Sequence, residues 1–108
     1  MAKWLFVVES NCADPAREAE FNQWYERVHI PDVLGIPGFV RATRYENLEP
    51  GEGKGKFLAT YEIESEDVNK TMKELTDCLP KWQEIGRFSD LFVRVSRGLY
   101  RHLSSLPK

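Results

Sequence analysis

Apolar residues first recur along this chain with a period of two. Between Lys3 and Ser10, Trp4, Phe6 and Val8 point to one side and Leu5 and Val7 to the other, because successive strand side chains alternate faces. Both sets are apolar, which predicts a strand covered on both sides. The pattern then changes. Asn11 to Asp14 reads as a loop, and Asp14-Pro15 starts a helix with Asp as N-cap and Pro at the first helical position. Phe21, Trp24, Tyr25 and Val28 fall at i, i+3, i+4 and i+7 on one helical face. Arg17, Glu20, Gln23 and Arg27 take the opposite face. The helix should end near Val28 or His29, because Ile30 precedes Pro31 and is pushed out of the helical region. Pro31 to Gly35 makes one further short turn, and Pro37-Gly38 reverses the chain.

The period of two then returns. From Phe39 to Asn47 it sets Phe39, Arg41, Thr43 and Tyr45 against Val40, Ala42, Arg44 and Glu46. Residues 48–56, rich in glycine and charge, form an exposed hairpin loop. Phe57 to Ile63 is a third strand. Ser65 caps a second helix whose buried stripe is Val68, Thr71, Met72, Leu75 and Leu79. Pro80 ends that helix or starts another short turn. Asp90 to about Leu103 is the last strand, with Leu91, Val93 and Val95 against Phe92, Arg94 and Ser96. It ends in the basic residues Arg97, Arg101 and His102, and the tail from Ser104 is loose.

The order is β-α-β-β-α-β. It predicts an α+β, ferredoxin-like protomer: a four-stranded antiparallel sheet with two helices on one face. At 108 residues the chain suits a single domain. The second sheet face also carries apolar and aromatic residues. Pairing it with a copy of itself gives a homodimer in which two sheets close into a dimeric α/β barrel. A monomer with a modest exposed patch is the other reading.

Net charge is −2, so there is no basic footprint for nucleic acid and no Lys/Arg block for an anionic membrane. The apolar run Trp4 to Val8 is too short for a signal peptide, and no stretch approaches the roughly 20 apolar residues of a membrane helix. A cytoplasmic location is the default expectation. Cys12 and Cys78 lack metal spacing and read as reduced thiols. Gly-rich phosphate loops and the Gly-x-Ser-x-Gly elbow are missing, and there are two histidines. Any catalysis is therefore expected to be acid/base chemistry without metal or other cofactor.

Four kinds of residue can carry such chemistry. His29 suits proton transfer near neutral pH, or it caps its helix by bonding a carbonyl. Asp32 either orients that imidazole or caps the next turn. Tyr45 and Tyr61 can both point into the second sheet face, where a barrel has its lumen, or pack as core tyrosines. Arg41, Arg44, Glu62 and Arg94 lie within strands. Arginines there can bind a carboxylate or enolate, or pair across strands, as Glu62 would with Arg44 or Arg94.

The run Phe21-Asn22-Gln23-Trp24-Tyr25, then His29-Ile30-Pro31, Pro37-Gly38-Phe39 and Arg44-Tyr45, resembles the EthD-like branch of the dimeric α/β-barrel superfamily. The resemblance implies a sheet-to-sheet homodimer and a cleft between helices and sheet in each subunit. It implies that His29 faces that cleft and that Tyr25 and Tyr45 help line it. The haem-degrading branch of the superfamily carries its histidine on the second helix, which here has none. Two functions remain open. One is a small cofactor-independent enzyme acting on a hydrophobic oxygenated ring compound, as a cyclase, isomerase, dehydratase or lyase. In it His29 moves a proton and Tyr25, Tyr45, Tyr61, Arg44 and Asp32 surround the substrate. The other is a non-catalytic homodimer that binds a small ligand in the same cleft.

Overall fold

The computed structural model describes residues 2–108. Its strands are β1 (Lys3–Cys12), β2 (Phe39–Glu46), β3 (Phe57–Glu64) and β4 (Phe92–Arg101). They form one antiparallel sheet in the order β2-β3-β1-β4. That order, with helices between β1 and β2 and between β3 and β4, is the ferredoxin-like arrangement expected from the pattern.

The first helical segment opens as predicted. The Asp14 carboxylate accepts a hydrogen bond from the Ala16 N–H at 3.0 Å, and Pro15 begins a short 3-10 turn, Pro15–Arg17. Helix α1 (Glu18–Trp24) follows. The expected stop near His29 does not occur. The chain passes through a π turn, Tyr25–His29, directly into α2 (Ile30–Leu34), and Ile30 keeps helical angles. The Ile30 N–H bonds the Tyr25 carbonyl, five residues back. A proline ring strikes the carbonyl four residues before it in an ordinary helix. The wider π turn displaces that carbonyl and lets the helix run on through Pro31.

Two further boundaries differ from expectation. Helix α3 (Val68–Glu84) is capped by Asp67, which accepts from the Lys70 N–H at 3.1 Å, while the Ser65 hydroxyl accepts from Asp67 N–H one turn earlier. It also continues through Pro80 to Glu84 rather than ending there.

The core lies between the helices and one sheet face. Phe21 and Tyr25 from the helical run meet Phe57, Ala59, Tyr61 and Ile63 of β3, and Met72 and Leu75 close the layer from α3. Cys12 and Cys78 are free, half-buried thiols. The other sheet face is uncovered. Register places Leu5, Val7, Leu58, Tyr45 and Tyr100 on it.

Two bulges break the simple alternation. Phe39 pairs with Ile63, but Arg41 pairs with Glu62, so Val40 is an extra residue in β2. Phe39 therefore shares the helix-facing side with Ala42 and Arg44, not with Arg41 and Tyr45. Likewise Glu9 pairs with Ser96 and Ser10 with Arg94, leaving Val95 extra in β4. Glu62 lies opposite Arg41, not Arg44 or Arg94.

Gly38 locks the elbow into β2. Its φ is +100° and a Cβ there would sit 3.2 Å from the Thr71 side chain on α3. Gly38→Ala should lower the unfolding free energy by more than about 1 kcal/mol, since both strain and crowding act. Gly51→Ala, where nothing lies within 4 Å, should be nearly neutral. Urea unfolding of the two variants checks this, and equal effects would contradict the assigned role.

Candidate functional site

Tyr25, His29 and Val33 succeed one another along the inner side of the helical run, and all three are buried. His29 is 7% exposed. Its ring stacks on Trp24 with centroids 4.9 Å apart and planes 19° apart. Tyr25 and Phe88 meet it edge-on at 5.2 and 5.5 Å. Trp82 and Phe92 complete the cage at 6.1 and 6.2 Å. The capping role open to His29 is therefore not the one it takes: its helix does not end there, and its ring turns into an aromatic cage.

The cage sets the charge state. Removing an imidazole from water disfavours its protonated form. Burial lowers the His29 pKa to about 4, while the Asp32 carboxylate pulls weakly the other way. His29 is thus neutral near pH 7. Asp32 makes no bond to the imidazole. It accepts from the Arg87 Nε–H and an Nη–H at 2.8 and 2.9 Å. The Arg87 carbonyl in turn accepts from the Trp24 indole N–H at 2.9 Å. Asp32 therefore ties down the α3–β4 loop, which carries Phe88, and so closes the cage from outside.

His29 opens on a cavity of about 70 Å³ between helices and sheet, lined also by Tyr25, Tyr61, Phe6, Val8 and Phe92. Past Phe88 and Phe92 it meets an open groove of about 550 Å³ that shares Leu79 and Arg94 with it. A hollow of about 420 Å³ lies elsewhere, between the sheet and the chain end at Trp4, Glu62, Arg101 and His102. That hollow holds no buried polar group without a partner, so the chemistry points to the smaller cavity.

Three hydroxyls lie deep in this region. The oxygens of Tyr25, Tyr61 and Ser10 are fully buried and cluster together, with Tyr25 within hydrogen-bonding reach of both Tyr61 and Ser10 but no pair in standard geometry. Burial raises the Tyr25 pKa, and burial together with Tyr25 raises that of Tyr61 further. Both phenols are neutral donors at any physiological pH. A buried hydroxyl left unpaired costs about 1–3 kcal/mol, and here the three hydroxyls offset part of that cost through one another.

The other sequence candidates lie elsewhere. Tyr45 is 55% exposed on the outer sheet face, whereas Tyr61 is buried under the helices. The Val40 bulge and the pairing of Tyr61 with Ala42 separate them. Arg44 packs behind Tyr25, its guanidinium 4.3 Å from the ring centroid, and bonds Asn22 and Glu26 at 2.9 and 3.2 Å. It supports Tyr25 but does not line the cavity. The sequence reading left Trp24 as core packing and did not place Phe88, Phe92 or Arg97 at the site. Periodicity could not reveal them, because the cage assembles only when the loop folds back on the π turn. No group of three or more His, Cys, Asp or Glu positioned for a metal occurs among the described residues, and no helix among them is long and apolar enough to cross a membrane.

A family model described as a domain of unknown function, DUF4286, matches residues 4–102. The chain belongs to that family. No curated protein matches it in sequence. Among solved structures it is similar to SnoaB, a cofactor-independent oxygenase from Streptomyces nogalater, at 16% identity over 100% of both chains and a TM-score of 0.72. HapK from Hahella chejuensis aligns at 13% identity over 97% of each chain, also with a TM-score of 0.72. An EthD family protein from Bacillus halodurans aligns at 18% identity over 91% of this chain and 97% of the other, with a TM-score of 0.52. At such identities the likeness shows the fold. The EthD-like resemblance read from the helix-to-strand motif holds at that level.

The buried imidazole has a consequence for stability. Its folded pKa of about 4 lies below the ordinary 6.5. The unfolded chain therefore takes up a proton first as pH falls. The stabilising contribution of the neutral ring is complete above about pH 6.5 and is lost as pH drops towards 4, by up to about 3 kcal/mol. Urea midpoints measured from pH 7.5 to 4 should fall more steeply for the wild type than for His29→Gln. Parallel curves would contradict a buried neutral His29.

Proposed function

We propose that this DUF4286 protein is a cytoplasmic, single-domain homodimer that processes a hydrophobic oxygenated ring compound by cofactor-independent acid/base chemistry. The observation that carries the reading is a neutral imidazole on an apolar cavity whose wall includes Tyr25 and Tyr61, with their hydroxyls buried just behind it. In the proposed reaction the substrate's carbonyl or phenol oxygen enters towards Tyr25 and Tyr61. Their O–H groups donate to it and acidify the neighbouring C–H. His29 accepts that proton and returns it at a second position, which gives an isomerisation, cyclisation or elimination. Its low basicity demands strong help from the donors, which the water-poor cavity provides. The description of SnoaB as a cofactor-independent oxygenase supports small-molecule processing without a cofactor on this fold.

A binding-only role has one observation in its favour. The cavity, about 70 Å³, is far smaller than the roughly 300 Å³ at which drug-sized sites begin. Only the reacting end of a ring compound fits, with the remainder in the groove past Phe88. The two readings part on His29→Gln. Once a substrate has been found among hydroxylated aromatic ketones and lactones, this variant should lose at least 100-fold in turnover while binding within about three-fold of wild type. Unchanged turnover would remove His29 from the mechanism, whereas compounds that bind but are never turned over would leave the binding role.

The dimer is supported by the apolar and aromatic residues of the uncovered sheet face, which also carries Glu9, Arg41 and Glu62. A second copy laid sheet to sheet would bury Leu5, Val7, Leu58 and Tyr45. Sedimentation equilibrium at micromolar concentration should give a dimer, and Val7→Glu a monomer. A monomeric wild-type protein would contradict the sheet-to-sheet arrangement.

A further inference from the structure

The helix-facing side of β4, an edge strand, is basic and exposed rather than apolar and buried. Register sets Arg94 opposite Ser10, Arg97 opposite Val8 and Arg101 opposite Trp4, and Val8 and Ser10 are buried on the helix-facing side. All three arginines thus lie on the inner side of the sheet, at its edge. The Val95 bulge is what makes this so: without it, Arg94 and Arg97, three residues apart, would point to opposite faces. Strand β4 contains no Asp or Glu, in a chain whose net charge is −2. The ion pairs of the described residues use Arg17, Arg44, Lys56, Lys73 and Arg87, and so leave these arginines free. Arg97 lies over the Phe6 ring at 4.9 Å and Arg101 over Trp4 at 5.3 Å. Arg94 and Arg97 both line the cavity, and Arg94 also lines the groove outside it.

From this we infer that the ligand carries a carboxylate, held at the mouth of the cavity between Arg94 and Arg97. The inference rests on the ring-compound reading of the same cavity and adds its charge. The site is then amphiphilic in a defined direction. A neutral oxygen goes in first, towards Tyr25 and Tyr61. The ring follows along the packed pair Phe88 and Phe92, whose rings meet edge-on at 5.4 Å. The carboxylate stays outermost, where two guanidinium groups can bond it and where solvation is lost only in part. These arginines are solvent-exposed on an edge strand, so their charge is available at the cavity mouth without the cost of burial. The bulge turns two of them to that one side.

Calorimetric titration with 6-hydroxy-2-naphthoate, whose hydroxyl and carboxylate lie at opposite ends of the ring system, and with its methyl ester tests the inference. The acid should bind at least ten-fold more tightly than the ester at low salt, and the difference should shrink as salt rises. Arg94→Gln combined with Arg97→Gln should bring the acid down to the ester's affinity and leave the ester unchanged. Arg97→Lys, which keeps the charge but alters the packing on Phe6, should retain most of the preference. Equal affinity for acid and ester in the wild type would overturn the carboxylate while leaving the ring-compound reading intact. An acid preference that survives the double substitution would overturn the assigned residues. Binding of neither compound would overturn this inference and the ring-compound reading together.

Discussion

Keeping one imidazole out of water is the constraint from which most of the site follows. A histidine in a wet cleft would be partly protonated near neutral pH. Here Trp24 stacks on it, and Tyr25, Phe88, Trp82 and Phe92 surround it. No single element supplies these rings. Trp24 and Tyr25 come from the first helical run, Trp82 from α3, Phe88 from the loop and Phe92 from β4. The cage is therefore a product of tertiary closure. Its outer fastening is polar, with Asp32 holding Arg87 while the Arg87 carbonyl holds Trp24. An exposed ion pair is worth little by itself. Its weight here lies in where it fixes the loop.

Irregular backbone is placed where the site needs it. The π turn carries the helix past Pro31 and keeps Tyr25, His29 and Val33 on one wall. The bulge at Val40 brings Arg44 behind Tyr25 while sending Tyr45 outward. The bulge at Val95 turns Arg94 and Arg97 to the cavity side. Each adds one residue to a regular repeat, and each re-aims a side chain. Such features are expected near working sites, where regular structure cannot give the required directions.

Much of the fold was legible in the sequence. Period-two runs marked the strands, Phe21 and Tyr25 marked a buried helix face, and Asp14-Pro15 marked its start. The helix-to-strand motif drew attention to His29. What escaped has a common physical cause. A bulge leaves composition unchanged but inverts every face after it, so alternation alone put Tyr45 with Tyr61 and kept Arg94 from Arg97. Ile30-Pro31 carries a true local preference against helix, which the π turn and the packing of Val33 overrode. Asp32 was recognisable as a partner for some cation, but Arg87 is 55 residues away, and no local signal connects them.

The account turns on His29 being neutral and buried in the resting protein. Proton NMR titration of its imidazole measures this directly. The chain has only two histidines, so comparison with His102→Ala assigns the signals. A His29 midpoint of about 4, as burial dictates, would support the buried, neutral base. A midpoint at or above the ordinary value of about 6.5 would mean that the ring is solvated or charged, and would contradict the account of the site.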